Sequence, residues 1–134
     1  KCNQILEESV ANTLKAACIQ LNSGDDMAKN IDTIRASVAD AARAGASLVT
    51  LPENAFLMES HASTTPRTRY TQAAHPGLAA ASELAKTQGI WLLVGSAAVQ
   101  TDDSGKTMNR QLLYNDKGEL VNYYDKIHLF DVTL

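Results

Sequence analysis

Two residues of opposite charge each follow a predicted β-strand. Glu53 comes after the apolar segment 47–51 and Pro52, and Lys126 comes shortly after segment 119–124. Proline has no N–H group for a strand ladder, so the first of these strands should stop at Pro52. Glu53 then lies at the mouth of a strand, where α/β proteins tend to place their chemistry. If the two strands are neighbours, the carboxylate and the ammonium group meet at one edge of the sheet.

A lysine beside a glutamate can serve a reaction in two ways. Its charge keeps the carboxylate ionised. The carboxylate can then act as a general base, while the ammonium group stabilises negative charge that develops in a transition state. The alternative is an ordinary surface salt bridge, which contributes little to stability. From the spacing of Glu53 and Lys126 alone the salt bridge is the more common outcome, so the choice depends on the surrounding sequence.

The elements that must position these residues follow the order β-α-β-loop-α-β-β-β. Helices that alternate with strands predict an α/β layered fold, and the closing hairpin predicts a mixed sheet rather than a doubly wound one. We expect the first strand to be largely buried. The predicted strands are 14–21, 47–51, 90–100, 108–114 and 119–124.

Two segments carry helix signals. Apolar residues recur three or four positions apart across residues 27–42, which is typical of one face of an amphipathic helix. Capping residues precede this segment at 23–26, and Gly45 is a stop signal. The segment LAAASELAK, after residues 76–77, predicts a second helix that ends at Gly89.

Residues 54–76 form a long stretch without a clear period, and a loop of this length is usually functional or disordered. Arg67 and Arg69 lie in it and could recognise a substrate carboxylate, because a guanidinium group pairs with a carboxylate through two hydrogen bonds. Solvated loop charges are the more common alternative. The same alternative applies to His61 and His75.

The composition indicates one modest globular domain. The chain has 134 residues, is 45% hydrophobic and 20% charged, and carries a net charge of −3. This charge gives no reason to expect nucleic acid or an anionic membrane as a partner. The apolar runs are too short to span a bilayer, and the start has no secretory signal. Two cysteines, at positions 2 and 18, form neither a disulfide framework nor a metal spacing, so a cytoplasmic location fits best.

The motif LPEN, together with YYDKIHLFD some seventy residues later, resembles the nitrilase or carbon–nitrogen hydrolase superfamily. Further segments match in order: AACIQLN, KNIDTI, ARAGASLVTLPEN, GIWLLVGS, LLYNDKGELV and DKIHLFDV. The resemblance covers residues 14–134 and leaves residues 1–13 as an N-terminal extension. It implies a nitrilase-type α-β-β-α sandwich, of which this chain is the N-terminal half.

The resemblance also implies roles for individual residues. It makes Glu53 the general base and Lys126 the group that stabilises the tetrahedral intermediate. The nucleophilic cysteine of the family comes a few dozen residues after the lysine, which is past Leu134, so we expect no nucleophile in this chain. Cys18 is expected to be a buried small hydrophobe, and Cys2 lies in the extension. No metal or organic cofactor is implied.

Three further residues are weaker candidates for the site. Asn109 could fix a loop beside the catalytic pair, or simply cap a strand. Asn54 could orient Glu53 by hydrogen bonding, or only turn the chain. His128 follows Lys126 by two residues, and strand alternation would place both on one face, where the histidine supports the lysine or packs.

The segment KIHLFDV looks most like the Nit-type ω-amidases and deaminated-glutathione amidases. The expected reaction is therefore hydrolysis of an amide of a small carboxylic acid, with release of ammonia, in a homo-oligomer that pairs through its outer helices. Nitrilase, carbamoylase and glutaminase activities are alternatives within the family. A second fragment could supply the cysteine of the hydrolase. The alternative to an enzyme is an inert half-domain with a binding or assembly role. We expect residues 1–134 alone to be poorly soluble or oligomeric, because a half-fold exposes an apolar sheet face.

Overall fold

The computed structural model describes residues 13–59, 70–100 and 107–128. They form five strands, two α-helices and one short 3₁₀ helix, in the predicted order. The strands are β1 (Ala16–Cys18), β2 (Leu48–Thr50), β3 (Trp91–Gln100), β4 (Thr107–Tyr114) and β5 (Leu120–Asp125). The helices are α1 (Met27–Arg43) and α2 (Pro76–Gln88), with the 3₁₀ helix at Gln72–Ala74.

The strands form one sheet in the order β1-β2-β3-β4-β5. β1, β2 and β3 are parallel, whereas β4 and β5 are antiparallel to their neighbours. The sheet is therefore mixed, as the closing hairpin predicted. β2 and β5 are separated by two strands, so the assumption that Glu53 and Lys126 follow neighbouring strands is wrong.

The start of α1 has the predicted capping chemistry. Asp26 is the N-cap, and its carboxylate accepts a hydrogen bond of 3.1 Å from the backbone N–H of Lys29. Behind it, Asn30 donates from its amide to the backbone oxygen of Phe56 at 2.9 Å. The helix ends next to Gly45, which has a φ of 86° that favours glycine.

The core lies between the two helices and one face of the sheet. Strand residues on this face are inaccessible to solvent, and so are the α1 residues that pack against them. Phe56, which follows the end of β2, fills the same core. The fully buried residues of this layer include Ile34, Val38, Val49, Leu92, Val94 and Leu112.

The first strand is shorter and more exposed than predicted. β1 spans three residues, of which Ala16 and Cys18 are exposed, and Leu14 before it is 67% exposed. The prediction of a largely buried strand is wrong for the described structure, because β1 is an edge strand that pairs with β2 alone. Its apolar composition would suit a strand covered on both faces.

His75 is a structural residue rather than a solvated loop residue. It is 3% exposed and forms the N-cap of α2, where its Nδ1 accepts hydrogen bonds from the N–H groups of Gly77 at 3.1 Å and Leu78 at 3.4 Å. Its ring packs against Phe56 and Tyr70. Pro76 at the first helical position favours a helix start here. The expectation of a solvated His75 is therefore wrong.

Stability should fall when His75 becomes protonated. Burial lowers the pKa of His75 below its ordinary value of 6.5, and Nδ1 can accept the two N–H groups only while it is unprotonated. The unfolded chain therefore binds this proton at a higher pH than the folded chain, so stability decreases as the pH falls below about 6.5. Urea unfolding at pH 7.5 and 5.5 measures the effect. His75→Asn keeps a capping side chain without a titrating ring, so its urea midpoint should differ less between the two pH values than that of the wild type. If both proteins show the same difference, His75 is not the group that causes the pH dependence.

None of the helices in the described ranges is long and apolar enough to cross a membrane.

Candidate active site

Three polar side chains meet at one point of the sheet. The Nζ of Lys126 lies 2.7 Å from Oε1 of Glu53. The side-chain amide of Asn109 donates to the same oxygen, also at 2.7 Å. Glu53 follows β2, Asn109 belongs to β4, and Lys126 follows β5 directly. The sequence therefore identified two residues, Glu53 and Lys126, that are in contact, although the strands before them are not neighbours.

The β4–β5 hairpin places Asn109 and Lys126 side by side. The backbone N–H of Lys126 donates to the carbonyl of Asn109 at 2.9 Å, which extends the strand ladder by one residue. Arg110 and Leu112 alternate with Asn109 along β4, and Leu112 is buried under the helices. Asn109 and Lys126 therefore lie on the opposite face of the sheet, away from α1 and α2. We call this face, which also carries Leu93 and Leu113, the open face.

Glu53 lies in the turn after β2, which is held against the neighbouring strand β3, and its side chain extends to the hairpin. Ser96 of β3 binds this turn. The hydroxyl of Ser96 accepts the backbone N–H of Asn54 at 2.9 Å, and its backbone N–H donates to Pro52 O at 3.3 Å. Its carbonyl accepts the N–H of Ala55 at 3.2 Å.

The close approach of this turn to β3 also depends on Gly95. A Cβ atom at this position would overlap the carbonyl oxygen of Leu51 and would lie 2.6 Å from the carbonyl carbon of Pro52. The register of β3 with β4 shifts between Val94 and Ala97, which marks a bulge at residues 95–96. Sequence reasoning missed both residues. The available signal was a Gly-Ser pair inside an otherwise apolar strand, since a glycine there often marks a bulge or a close backbone approach.

The two hydrogen-bond donors favour the ionised form of Glu53. The hydrogen bond from Lys126 is the main cause that holds the pKa of Glu53 below its ordinary value; burial opposes it, and the amide of Asn109 adds a smaller lowering effect. The side chains of Glu53 and Lys126 are 52% and 39% exposed. A pair this exposed contributes little to stability. The amide donor and the convergence of three chain segments are what distinguish it from an ordinary surface salt bridge.

A second ion pair lies directly behind the first, on the helix-covered face. Arg110 binds Asp125 through two parallel hydrogen bonds of 2.6 and 2.8 Å and binds Gln72 at 2.7 Å. Its guanidinium also lies 4.1 Å above the ring of Tyr123. Arg110 lowers the pKa of Asp125. Sequence reasoning missed this pair, whose members are the chain neighbours of Asn109 and Lys126.

The remaining candidate residues from the sequence are Asn54, His128, Arg67 and Arg69. Asn54 turns the chain with a φ of 50°, and its backbone rather than its side chain is held by Ser96. His128 is exposed, and strand alternation does not extend to it because β5 ends at Asp125. Arg67 and Arg69 lie outside the described residues, as does His61.

The cysteines differ from expectation in one respect. Cys18 is exposed rather than buried, because it lies on the edge strand β1. It pairs with Thr50 in β2 and is three strands away from Asn109 in β4. Cys2 lies outside the described residues.

Known proteins match this chain over nearly its whole length. The family model described as carbon-nitrogen hydrolase matches residues 15–134. Nitrilase homolog 2 of Dictyostelium discoideum is 36% identical over 121 residues, which are 90% of this chain and 36% of that protein. The deaminated glutathione amidase of Yersinia enterocolitica is 34% identical, over 88% of this chain and 41% of the relative. The omega-amidase NIT2 of Mus musculus is 33% identical, over 92% of this chain and 43% of the relative.

Solved structures show the same fold. The NitFhit protein of C. elegans superimposes with a TM-score of 0.74 at 20% identity, over 91% of this chain and 31% of that one. The NitN amidase from Nesterenkonia sp. AN1 gives a TM-score of 0.71 at 21% identity, over 90% of this chain and 46% of that one. The chain spans about two fifths of the length of the curated relatives it matches. The mixed five-stranded sheet with its helix layer is the nitrilase-superfamily fold, and the chain belongs to the carbon–nitrogen hydrolase family.

Proposed function

We propose that this chain supplies the glutamate and lysine of an enzyme that hydrolyses the amide of a small carboxylic acid and releases ammonia. One observation carries the proposal: Oε1 of Glu53 is held by both Lys126 and Asn109 at 2.7 Å. The relatives named omega-amidase and deaminated glutathione amidase support the choice of an amide. Arg67 and Arg69 are candidates for binding the substrate carboxylate.

The reaction needs a nucleophile, which we assign to a cysteine outside residues 1–134. Glu53 takes the thiol proton, and the thiolate attacks the amide carbon to form a tetrahedral intermediate. Glu53 then gives the proton to the leaving nitrogen, ammonia departs, and a thioester remains. Glu53 next activates a water molecule, which hydrolyses the thioester to the carboxylic acid and restores the thiol. This sequence uses no metal or organic cofactor.

The geometry suggests a separate task for each group. Both hydrogen bonds to Glu53 end on Oε1, so we assign proton transfer to Oε2. A carboxylate with a lowered pKa is ionised at neutral pH and ready to accept a proton. The ammonium group of Lys126 offsets negative charge on the tetrahedral intermediate, and this effect grows when bound substrate excludes water.

The assignment of a cysteine is supported by the amidase from Nesterenkonia sp. AN1, a mutant of which shows the Michael addition of acrylamide at its active-site cysteine. In the present chain, Cys18 lies on the far edge strand from Lys126. The cysteine would therefore come from a continuation of this polypeptide or from a second fragment. Nitrilase, carbamoylase and glutaminase reactions are the alternatives that the same residues would serve.

The second candidate function is an inert half-domain with a binding or assembly role. It is favoured by exposed apolar residues: Trp91, Tyr123 and Tyr124 are 40%, 54% and 55% exposed. Aromatic side chains are enriched at protein–protein interfaces relative to the rest of the surface. We further propose a homo-oligomer in the cytoplasm, with amides rather than nucleic acid or membrane as the partner.

The deciding experiment combines a denaturing intact mass with an ammonia assay. The protein is isolated through this chain with any polypeptide that accompanies it, and is tested on ω-amides of dicarboxylic acids, nitriles, N-carbamoyl acids and glutamine. A companion or a longer chain that carries a cysteine, together with ammonia release from the amides, supports the proposal. A single species near 14.4 kDa that releases no ammonia and elutes as an oligomer supports the inert half-domain.

A further inference from the structure

Ser96 is a buried polar residue of β3, at the point where the turn that carries Glu53 contacts this strand. It is 2% exposed and makes three hydrogen bonds to the turn after β2. One bond goes to the residue before Glu53, at the carbonyl of Pro52. Another comes from the residue after Glu53, where the N–H of Asn54 reaches the serine hydroxyl at 2.9 Å. Ser96 therefore holds the backbone on both sides of the carboxylate.

The hydroxyl is the only one of these three contacts that depends on the side chain of residue 96. The other two use its backbone N–H and carbonyl, which any residue supplies. The hydroxyl also binds Asn54, whose φ of 50° lies in the left-handed region. This backbone conformation costs an L-residue free energy, and it persists where surrounding groups stabilise it. The serine hydroxyl is one such group, because it accepts the N–H of Asn54.

We propose that Ser96 is a positioning residue whose hydroxyl fixes the turn that holds Glu53 against Lys126 and Asn109. This inference rests on the function proposed above. The side chain of Glu53 must extend from the turn after β2 to the β4–β5 hairpin, and this turn is anchored to β3 at residue 96. A turn freed at Asn54 would let the carboxylate swing away from both partners. Displacements of about 1 Å at a reacting group can cost on the order of a hundredfold in rate.

The test is Ser96→Ala in the protein as isolated with any polypeptide that accompanies it. The expected result is a kcat for ammonia release lower by about tenfold to a hundredfold with KM changed by less than about twofold. Ser82→Ala is the matched control. It also removes one serine hydrogen bond, at 2.6 Å to the carbonyl of Gly118 in the β4–β5 turn. If the two variants lose similar thermal stability while only Ser96→Ala loses kcat, the lower kcat of Ser96→Ala comes from a displaced Glu53 rather than from lower stability.

A second variant keeps the test decisive if Ser96→Ala folds poorly. Glycine adopts a positive φ without strain, so Asn54→Gly in the Ser96→Ala background should recover several-fold in kcat. An unchanged kcat in Ser96→Ala, or no recovery in the double variant, would overturn the inference. The variant Glu53→Gln separates the role of Ser96 from the proposed function. If Glu53→Gln retains full ammonia release, the proposed function is wrong whatever the result for Ser96→Ala. If Glu53→Gln is inactive while Ser96→Ala has normal activity, only the proposed role of Ser96 is wrong.

Discussion

Lys126→Met should lower kcat for ammonia release by about a hundredfold to a thousandfold, the range seen when one group that stabilises a developing oxyanion is removed. Methionine keeps the length of an aliphatic stem and removes the charge. The loss would not come from protonation of the base. Without Lys126, the pKa of Glu53 rises towards its ordinary value of 4.5, and at that value the carboxylate is still ionised at pH 7. The missing charge at the tetrahedral intermediate is therefore the dominant effect.

The pH profile of the same variant provides a second measurement. Lys126 is the charged group in contact with Glu53, and its hydrogen bond is the main cause of the lowered pKa of Glu53. If the ionised form of Glu53 is the base, as we propose, wild-type activity should persist to lower pH than that of Lys126→Met. The acid limb of the variant is thus expected at higher pH.

Lys117→Ala is the control for this prediction. It removes an exposed lysine in the β4–β5 turn, on the same hairpin as Lys126 but away from Glu53, and should leave kcat within about twofold. A Lys126→Met enzyme with wild-type kcat at pH 7 would show that the ion pair is an ordinary surface salt bridge.

The fold was largely predictable because its elements carry strong local signals. The α1 segment has a capping aspartate, a regular apolar face and a terminal glycine, and each of these has a local physical cause. The mixed sheet followed from the short β4–β5 turn, which allows only antiparallel pairing. The exposure of β1 was not predictable, since an apolar strand looks the same in sequence whether it lies at the edge of a sheet or in its centre.

The site was predictable only in part. Pro52 and the apolar strands around Glu53 and Lys126 indicated two charged groups at strand ends, but strand order cannot be read from such local signals. The structure joins the two groups through a turn held against β3, which no periodicity reveals. Ser96 and the Arg110–Asp125 pair were missed for the same reason: their partners are 15 to 44 residues away in the chain.

Gly95→Ala should destabilise the protein by about 3 kcal/mol, the upper part of the usual range for overpacking. The added methyl group would meet backbone atoms of Leu51 and Pro52, which cannot move aside as the end of a flexible side chain could. Either β3 separates from the end of β2 or the turn after Pro52 is displaced. Both changes would also move Glu53, so ammonia release should fall together with stability.

Urea unfolding measures the stability change, and Gly24→Ala is the matched control. A Cβ at Gly24 would meet no atom within 4 Å, so this variant should unfold within about 0.5 kcal/mol of wild type. Equal midpoints for Gly95→Ala and Gly24→Ala would mean that the turn after β2 approaches β3 less closely than the structure shows. In that case Ser96 could not hold Glu53 as tightly as we infer, because its bonds to Pro52 and Asn54 depend on the same close approach. The glycine sets the distance between the two backbones, and the serine uses that distance to fix the carboxylate.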